Sequence, residues 1–217
     1  MTRPVLYDYA KSSAAYRVRI GLNLKGVDYD SRQISLLDGE QKGDAYRALN
    51  PQGFVPMLEV DGHRITQSLA ILVYLDQAYP EPRLMPADPF DGAHVRALAM
   101  TIACDIHPLN NLRVLKYLKN DLGQEQAAID RWYAHWITEG FTALEALAAP
   151  RAGDFMFGDA PTLADVCLVP QMFNARRFKV DLDAYPTLLR ADSHACALEP
   201  FAAAHPERIG SQEEQSQ

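Results

Sequence analysis

Four prolines crowd into the stretch PEPRLMPADPFDG (Pro80, Pro82, Pro86 and Pro89), and the chain has a different texture on either side of it. Proline fixes φ and lacks a backbone N–H, so such a cluster interrupts regular structure and reads as a connection between two bodies. Before it, strand and helix signals alternate. VLYDY alternates apolar and polar positions, and YRVRIGLNLKG has helical spacing and closes on Gly26, a favoured helix end. VDYDSRQISL reads as a second strand, and FVPMLEVDGHRITQS as two short strands joined at Asp61-Gly62, the residue pair of a tight hairpin. SLAILVYLDQAYP then reads as a helix with Ser68 as its expected cap. After the prolines every long segment is helical. The predicted layout is a β-α-β/β-β-α module over residues 1–80, a linker over 81–92, an all-helical module over 93–209 and a disordered polar tail over 210–217.

With 217 residues, 48% apolar and 23% charged, the chain can bury a sizeable core beneath an ordinary polar surface. Its formal net charge of −7 argues against nucleic acid or an anionic membrane as partner, so any anionic ligand must be met by local basic residues. No run reaches the roughly 18 apolar residues of a membrane span. The opening MTRPVLYDYA lacks the regions of a signal peptide. Cys104, Cys167 and Cys196 are scattered, with no CxxC, and the six histidines have no ligand spacing, so neither a disulfide framework nor a metal site is expected. The expected compartment is the cytoplasm.

The stretch YAKSSAAYRVRI places two adjacent hydroxyls where a strand becomes a helix. Ser13 alone reads as a helix N-cap. A hydroxyl at the positive end of a helix also suits an anion or a thiolate. Pro56, in FVPML, is either a strand-opening proline or part of a cis turn. His107, Asn110 and Asn111 are spaced i, i+3, i+4 and should share a face of a long helix, which Pro108 bends by removing the bond to the residue 104 carbonyl. Lys11, Arg17, Arg19, Arg113, Arg176 and Arg177 are the candidate cations; Arg19 and Arg176 read as surface residues. Thr162 and Asp165 in TLAD read as a capping box, and Trp132 and Trp136 as packing.

Five segments in order resemble the zeta class of the glutathione transferases: SSAAYRVRIGL, NPQGFVPML, ITQSLAILVYLD, DIHPLNNLRVLKYL and FNARRFKVDLDAYP. The resemblance runs from about residue 4 to residue 190 and implies an α/β thioredoxin-like N-terminal domain followed by an all-α C-terminal domain. It implies a cis bond between Val55 and Pro56, with the Val55 backbone pairing with glutathione like an added strand. Gln67 and Ser68 would hold the γ-glutamyl end, and Gln52 the middle or glycyl end. His107 would reach glutathione across the domain boundary. Ser12 is expected to donate to the sulfur with Ser13 as a supporting cap; Tyr7 is a rival, because other classes use tyrosine, but its place inside a strand reads as core or wall. Lys11, Asn110, Asn111, Arg113 and Arg177 are the expected substrate residues, Arg177 matching the arginine of the zeta pattern and offering a planar fork to a carboxylate.

One position departs from the pattern. Ala14 stands where the zeta class usually has cysteine, so an active-site dithiol is excluded and any catalysis would use the thiol of bound glutathione. The activity implied is cis–trans isomerisation of a dicarboxylate oxo acid, maleylacetoacetate to fumarylacetoacetate in tyrosine and phenylalanine breakdown, by a homodimer. Alternatives are maleylpyruvate isomerisation in gentisate breakdown, a general conjugating or dehalogenating transferase, and a non-catalytic glutathione-fold binding protein.

Overall fold

The computed structural model describes residues 2–215, with side chains through residue 210. Two compact units emerge: one holds the residues up to Arg83 together with those from Ala197 onward, and the other spans Leu84–Cys196. In the first unit, β1 (Val5–Asp8), α1 (Ser13–Leu24), β2 (Asp30–Gln33), α2 (Asp44–Arg47), β3 (Met57–Val60), β4 (His63–Thr66) and α3 (Ser68–Ala78) follow one another. The sheet order is β2-β1-β3-β4, with β2 parallel to β1 and the other two pairings antiparallel. Asp61 and Gly62 both take positive φ, 48° and 78°, as a two-residue turn between β3 and β4 requires.

Period-two alternation along β1 sends Leu6 and Tyr7 to opposite faces of the sheet. Leu6, Leu58, Ile71, Leu72 and Leu75 are fully buried, each such side chain contributing about 1.5–3 kcal/mol. Tyr7, Ile34, Tyr46, Val55 and Met57 form a separate buried cluster, so Tyr7 is core, as its strand position implied. α1 ends with Gly26 at φ 61°, its N–H bonded back to the Asn23 carbonyl. At that end Lys25 Nζ lies 2.7 Å from Asp76 of α3 and donates to the Pro82 carbonyl at 2.6 Å.

The second unit holds α4 (Pro89–Met100), a π-helical segment (Thr101–Ile106), α5 (Leu112–Asn120), α6 (Gln126–Ala148), α7 (Leu163–Arg177) and most of α8 (Pro186–Ala197). Asp88 caps α4 by accepting from the N–H groups of Phe90 and Asp91, so the helix starts inside the stretch read as linker. The capping box is present: Thr162 accepts from Ala164 N–H, and Asp165 accepts from the backbone and hydroxyl of Thr162 and from Met156 N–H. Trp132 and Trp136 pack edge to face, with ring centroids 5.5 Å apart.

Two expectations are corrected here. The helix read as bent at Pro108 is not continuous: it widens to π-helical hydrogen bonding before the proline, with His107 N–H reaching the Ile102 carbonyl, and then breaks into a turn. Proline lacks the N–H that would continue the ladder, so the break falls where the donors run out. His107, Asn110 and Asn111 therefore do not share a helical face. The second correction concerns the C-terminus. α9 (Glu199–Ala203) packs on α1, with Asn23 Nδ2 donating to the Pro200 carbonyl at 2.9 Å, so these residues belong to the first unit and not to the helical module. α10 (Pro206–Gln215) is helical through most of the segment read as a tail, and residues 216 and 217 lie outside the described residues.

Candidate active site

The sheet gathers the first unit's candidates at one end. Tyr7 opposes Met57 and Met57 opposes Thr66, so the residues after β1, before β3 and after β4 all leave the sheet on the same side. Those residues are Tyr9–Ser12, Val55–Pro56 and Gln67–Ser68.

Ser12, not Ser13, caps α1. Ser12 is extended (φ −79°, ψ 118°) and its Oγ accepts from Ala15 N–H at 3.3 Å, whereas Ser13 is already the first helical residue and buried. The two neighbouring hydroxyls carry the same preference, and the turn decides between them: Ser12 N–H closes onto the Tyr9 carbonyl at 2.8 Å. The cap and the expected sulfur donor thus fall on one residue. The two roles are compatible, because accepting from Ala15 leaves the hydroxyl proton to be given elsewhere.

Ser68 is likewise not a cap. The cap position of α3 is Gln67, at φ 70° and ψ 119°, which displaces Ser68 into the first turn. Ser68 is buried, and its Oγ accepts from Arg17 at 3.3 Å. A hydroxyl that accepts from a guanidinium still has its own proton to give, so Ser68 suits a carboxylate held at the start of an 11-residue helix. Gln67 sits in a conformation that costs a side-chain-bearing residue about 1–3 kcal/mol. Its Nε2 donates to Gln52 Oε1 at 3.0 Å, which joins two of the expected site residues.

The bond between Val55 and Pro56 is cis, as the resemblance implied. The loop leading to it is braced around one carbonyl, that of Phe54, which accepts from the Tyr46 hydroxyl at 2.7 Å and from Asn50 Nδ2 at 2.8 Å. Burial pushes the Tyr46 phenol up to about 12, so it stays a donor at every physiological pH. Lys11 is exposed at the mouth of the turn before α1.

The remaining candidates belong to the second unit. Asn111 caps α5 by accepting from Arg113 N–H at 3.1 Å. Asn110 is buried and donates to the Tyr133 carbonyl at 3.3 Å, a bracing role that weakens its reading as a substrate residue. His107 is half-buried; Arg113 and Arg177 are exposed. The Arg177 guanidinium lies 5.5 Å from the ring centre of Phe178, which stacks on Tyr133 at 3.6 Å. No group of three or more histidine, cysteine or carboxylate side chains among the described residues could hold a metal. No helix among them is long and apolar enough to cross a membrane.

The sequence reading missed Asp8, and it counted Arg17 and Arg19 among the candidate cations without their burial. Asp8, Arg17 and Arg19 are all buried, Arg19 and Asp8 completely, with Arg19 Nη1 2.6 Å from Asp8 Oδ1. Arg19 is therefore not a surface residue. Arg176 is half-exposed and pairs with the buried Asp192. The signal was available in YRVRIGL, where arginines two apart are flanked by apolar residues on every side and cannot both reach solvent from one helix.

A four-stranded mixed sheet with a cis-proline loop and a capped helix at one end, accompanied by an all-helical unit, defines a thioredoxin-like fold of the transferase kind. Residues 11–78 match the family model for the glutathione S-transferase N-terminal domain, and residues 126–193 that for the C-terminal domain. A maleylpyruvate isomerase from Ralstonia sp is 48% identical over 204 residues, 93% of this chain and 96% of that protein. Among solved structures, the holo form of a bacterial zeta-class maleyl pyruvate isomerase matches with a TM-score of 0.92 and 46% identity, covering 94% of this chain and 97% of the other. A maleylacetoacetate isomerase from Anaeromyxobacter dehalogenans, with glutathione bound in its active site, matches with a TM-score of 0.86 and 46% identity, covering 95% and 96%. The chain belongs to the glutathione transferase family, in its zeta class.

Proposed function

We propose that this protein is a glutathione-dependent isomerase that converts maleylacetoacetate to fumarylacetoacetate in the breakdown of tyrosine and phenylalanine. One observation carries the reading: Ser12 caps α1 with its oxygen while keeping its proton, at the positive end of a 12-residue helix. A hydroxyl donor and a helix N-terminus both favour a thiolate over a thiol, whose ordinary pKa is near 8.5. Bound glutathione, held at the sulfur by Ser12 and along the tripeptide by Val55, Gln67 and Ser68, would supply that thiol, and its chemistry would be reversible addition that turns the cis double bond into a rotatable single bond, followed by elimination that restores it as trans, with no net transfer of protons or electrons.

The chain's own residues bind and orient. Ser12 donates to the sulfur. Ser68, backed by the Arg17 guanidinium, takes the γ-glutamyl carboxylate with Gln67, and Gln52 steadies Gln67 while facing the middle of the tripeptide. The Val55 backbone pairs with the cysteinyl residue in the manner of an added strand. Lys11 offers a mobile charge to a substrate carboxylate, and His107, Asn111, Arg113 and Arg177 are assigned to glutathione or substrate on the zeta resemblance. Maleylpyruvate is the second substrate in view, favoured by the Ralstonia relative. We place the protein in the cytoplasm as a homodimer.

Turnover of both cis acids, followed with and without glutathione, tests the assignment. Isomerisation absent from both substrates at saturating glutathione would end it, and a much higher kcat/KM for one names the substrate. Ser12→Ala should raise the pKa of bound glutathione by about one to two units, since a hydrogen bond to a charged group contributes roughly 1.5–3 kcal/mol. The same change should cost about 1 kcal/mol of stability through the lost cap. Ser13→Ala should move both quantities much less.

Gln67→Gly separates strain from binding. Glycine accepts φ 70° freely, so the variant should gain about 1 kcal/mol of stability while losing glutathione affinity with the amide. Thermal melts and calorimetric titration, run side by side, read the two effects. A variant that loses stability would mean that the Gln67–Gln52 bond outweighs the backbone strain.

A further inference from the structure

The four residues that carry the chain from β1 to Ser12 are held by a buried charge that the binding scheme above does not use. Arg19 donates from Nη1 to Asp8 Oδ1 at 2.6 Å, from Nη2 to the Ala10 carbonyl at 2.9 Å and from Nε to the Ala204 carbonyl at 3.0 Å. Asp8 Oδ1 also accepts from Tyr9 N–H at 2.7 Å, and the Tyr9 carbonyl accepts from Ser12 N–H at 2.8 Å. The guanidinium is thus tied to the end of β1, to the middle of the turn and, through Asp8 and Tyr9, to the residue whose hydroxyl caps α1. It lies 5.3 Å from the ring centre of Tyr16, and it and Asp8 are inaccessible to solvent.

Net stability is a poor explanation for such a pair. Desolvating two charges is costly enough that well-packed apolar replacements are often neutral or stabilising. What apolar side chains cannot supply is direction: three donors in a rigid plane fix three acceptors relative to one another. One of those acceptors lies at the end of β1, one inside the Ser12 turn, and the third on the C-terminal segment.

We propose that Arg19, with Asp8, is a positioning residue that sets the Ser12 hydroxyl for the thiolate, and that the C-terminal segment takes part through the Ala204 carbonyl. The proposal rests on the reading of Ser12 as the sulfur's donor. Arg19 reaches none of the atoms assigned to bind glutathione, so its removal should leave affinity nearly intact and act on the thiol.

The test is a double-mutant cycle in the 217-residue chain. Asp8→Leu combined with Arg19→Met removes both charges and strands neither. Glutathione affinity by calorimetry should stay within about threefold of the parent, while the pKa of the bound thiol, followed by thiolate absorbance, should rise by roughly one unit, tenfold in thiolate fraction. Ser12→Ala should then add less to the thiol pKa in this background than in the parent, the non-additivity expected of residues that act as one. A purely structural role predicts the same Ser12→Ala increment in both backgrounds, and that result overturns the proposal. Should the double variant fail to fold, Arg19→Lys serves instead: it keeps the charge beside Asp8 but cannot reach all three acceptors, and an unmoved thiol pKa there overturns the proposal as well. If Ser12→Ala leaves the thiol pKa unchanged in the parent, the reading of Ser12 fails and the positioning role falls with it; a shift in the parent together with full additivity sinks the positioning role alone.

Discussion

Asp165→Ala should lower the free energy of unfolding by about 3–5 kcal/mol, measured by chemical denaturation at neutral pH. The carboxylate is buried and accepts from Met156 N–H and Thr162 N–H, each at 2.8 Å, and from the Thr162 hydroxyl at 2.9 Å. Alanine leaves two buried backbone donors without an acceptor, and each costs roughly 1–3 kcal/mol. Asp165→Asn keeps one carbonyl oxygen and should recover about half the loss. The same residue sets a pH dependence. Burial pushes its carboxyl up to about 6 from the ordinary 3.8, against the pull of its donors. The folded state therefore favours the protonated form, so the stability from this group is full below about pH 4 and is lost as pH rises through 6. Asp165→Asn should remove that slope; a slope unchanged between pH 4 and 6 would assign it to other groups.

Gly53→Ala should cost about 2–4 kcal/mol and weaken glutathione binding at least tenfold. Gly53 has φ 62°, a region that costs an alanine about 1–2 kcal/mol, and an added Cβ would come within 2.7 Å of the Gln41 carbonyl oxygen. Backbone cannot rotate away as a side chain can, so the loop must shift. That loop holds Gln52 on one side and leads to Val55 on the other, which is why affinity should fall along with stability. Gly26→Ala is the control. It has φ 61° with nothing within 4 Å of the added carbon, so it should cost only the backbone preference, about 1–2 kcal/mol, and spare binding. Equal loss of affinity in both variants would mean that stability, not loop geometry, governs binding.

Features specified by a few neighbouring residues were legible in the sequence. The Asp61-Gly62 turn, the TLAD box and Gly26 at the helix end each depend on contacts within four or five positions. The assignments that slipped did so by one residue, at Ser12/Ser13 and at Gln67/Ser68, where adjacent side chains have similar capping chemistry and a turn bond or a positive φ chose between them. Arg19 was misread for a different reason. The expectation that arginine faces water fails when a carboxylate and two carbonyls wait in the interior, and one of those carbonyls lies 185 positions away. The π-helical segment before Pro108 left no trace in the apolar spacing, since the choice between helical forms is made by which donors survive.

Because Ala204 completes the network around Arg19, the first unit is discontinuous in the order of synthesis. At roughly 5–20 residues per second, on the order of 6–24 s separates the emergence of Arg83 from that of Ala204. During that interval the sheet, α1 and α3 are all available, yet the guanidinium in α1 lacks one of its three acceptors. The helical unit, continuous from Leu84 to Cys196, has every residue it needs before the amino-terminal one does. The helical unit can therefore close while the guanidinium of the first unit still waits for the Ala204 carbonyl.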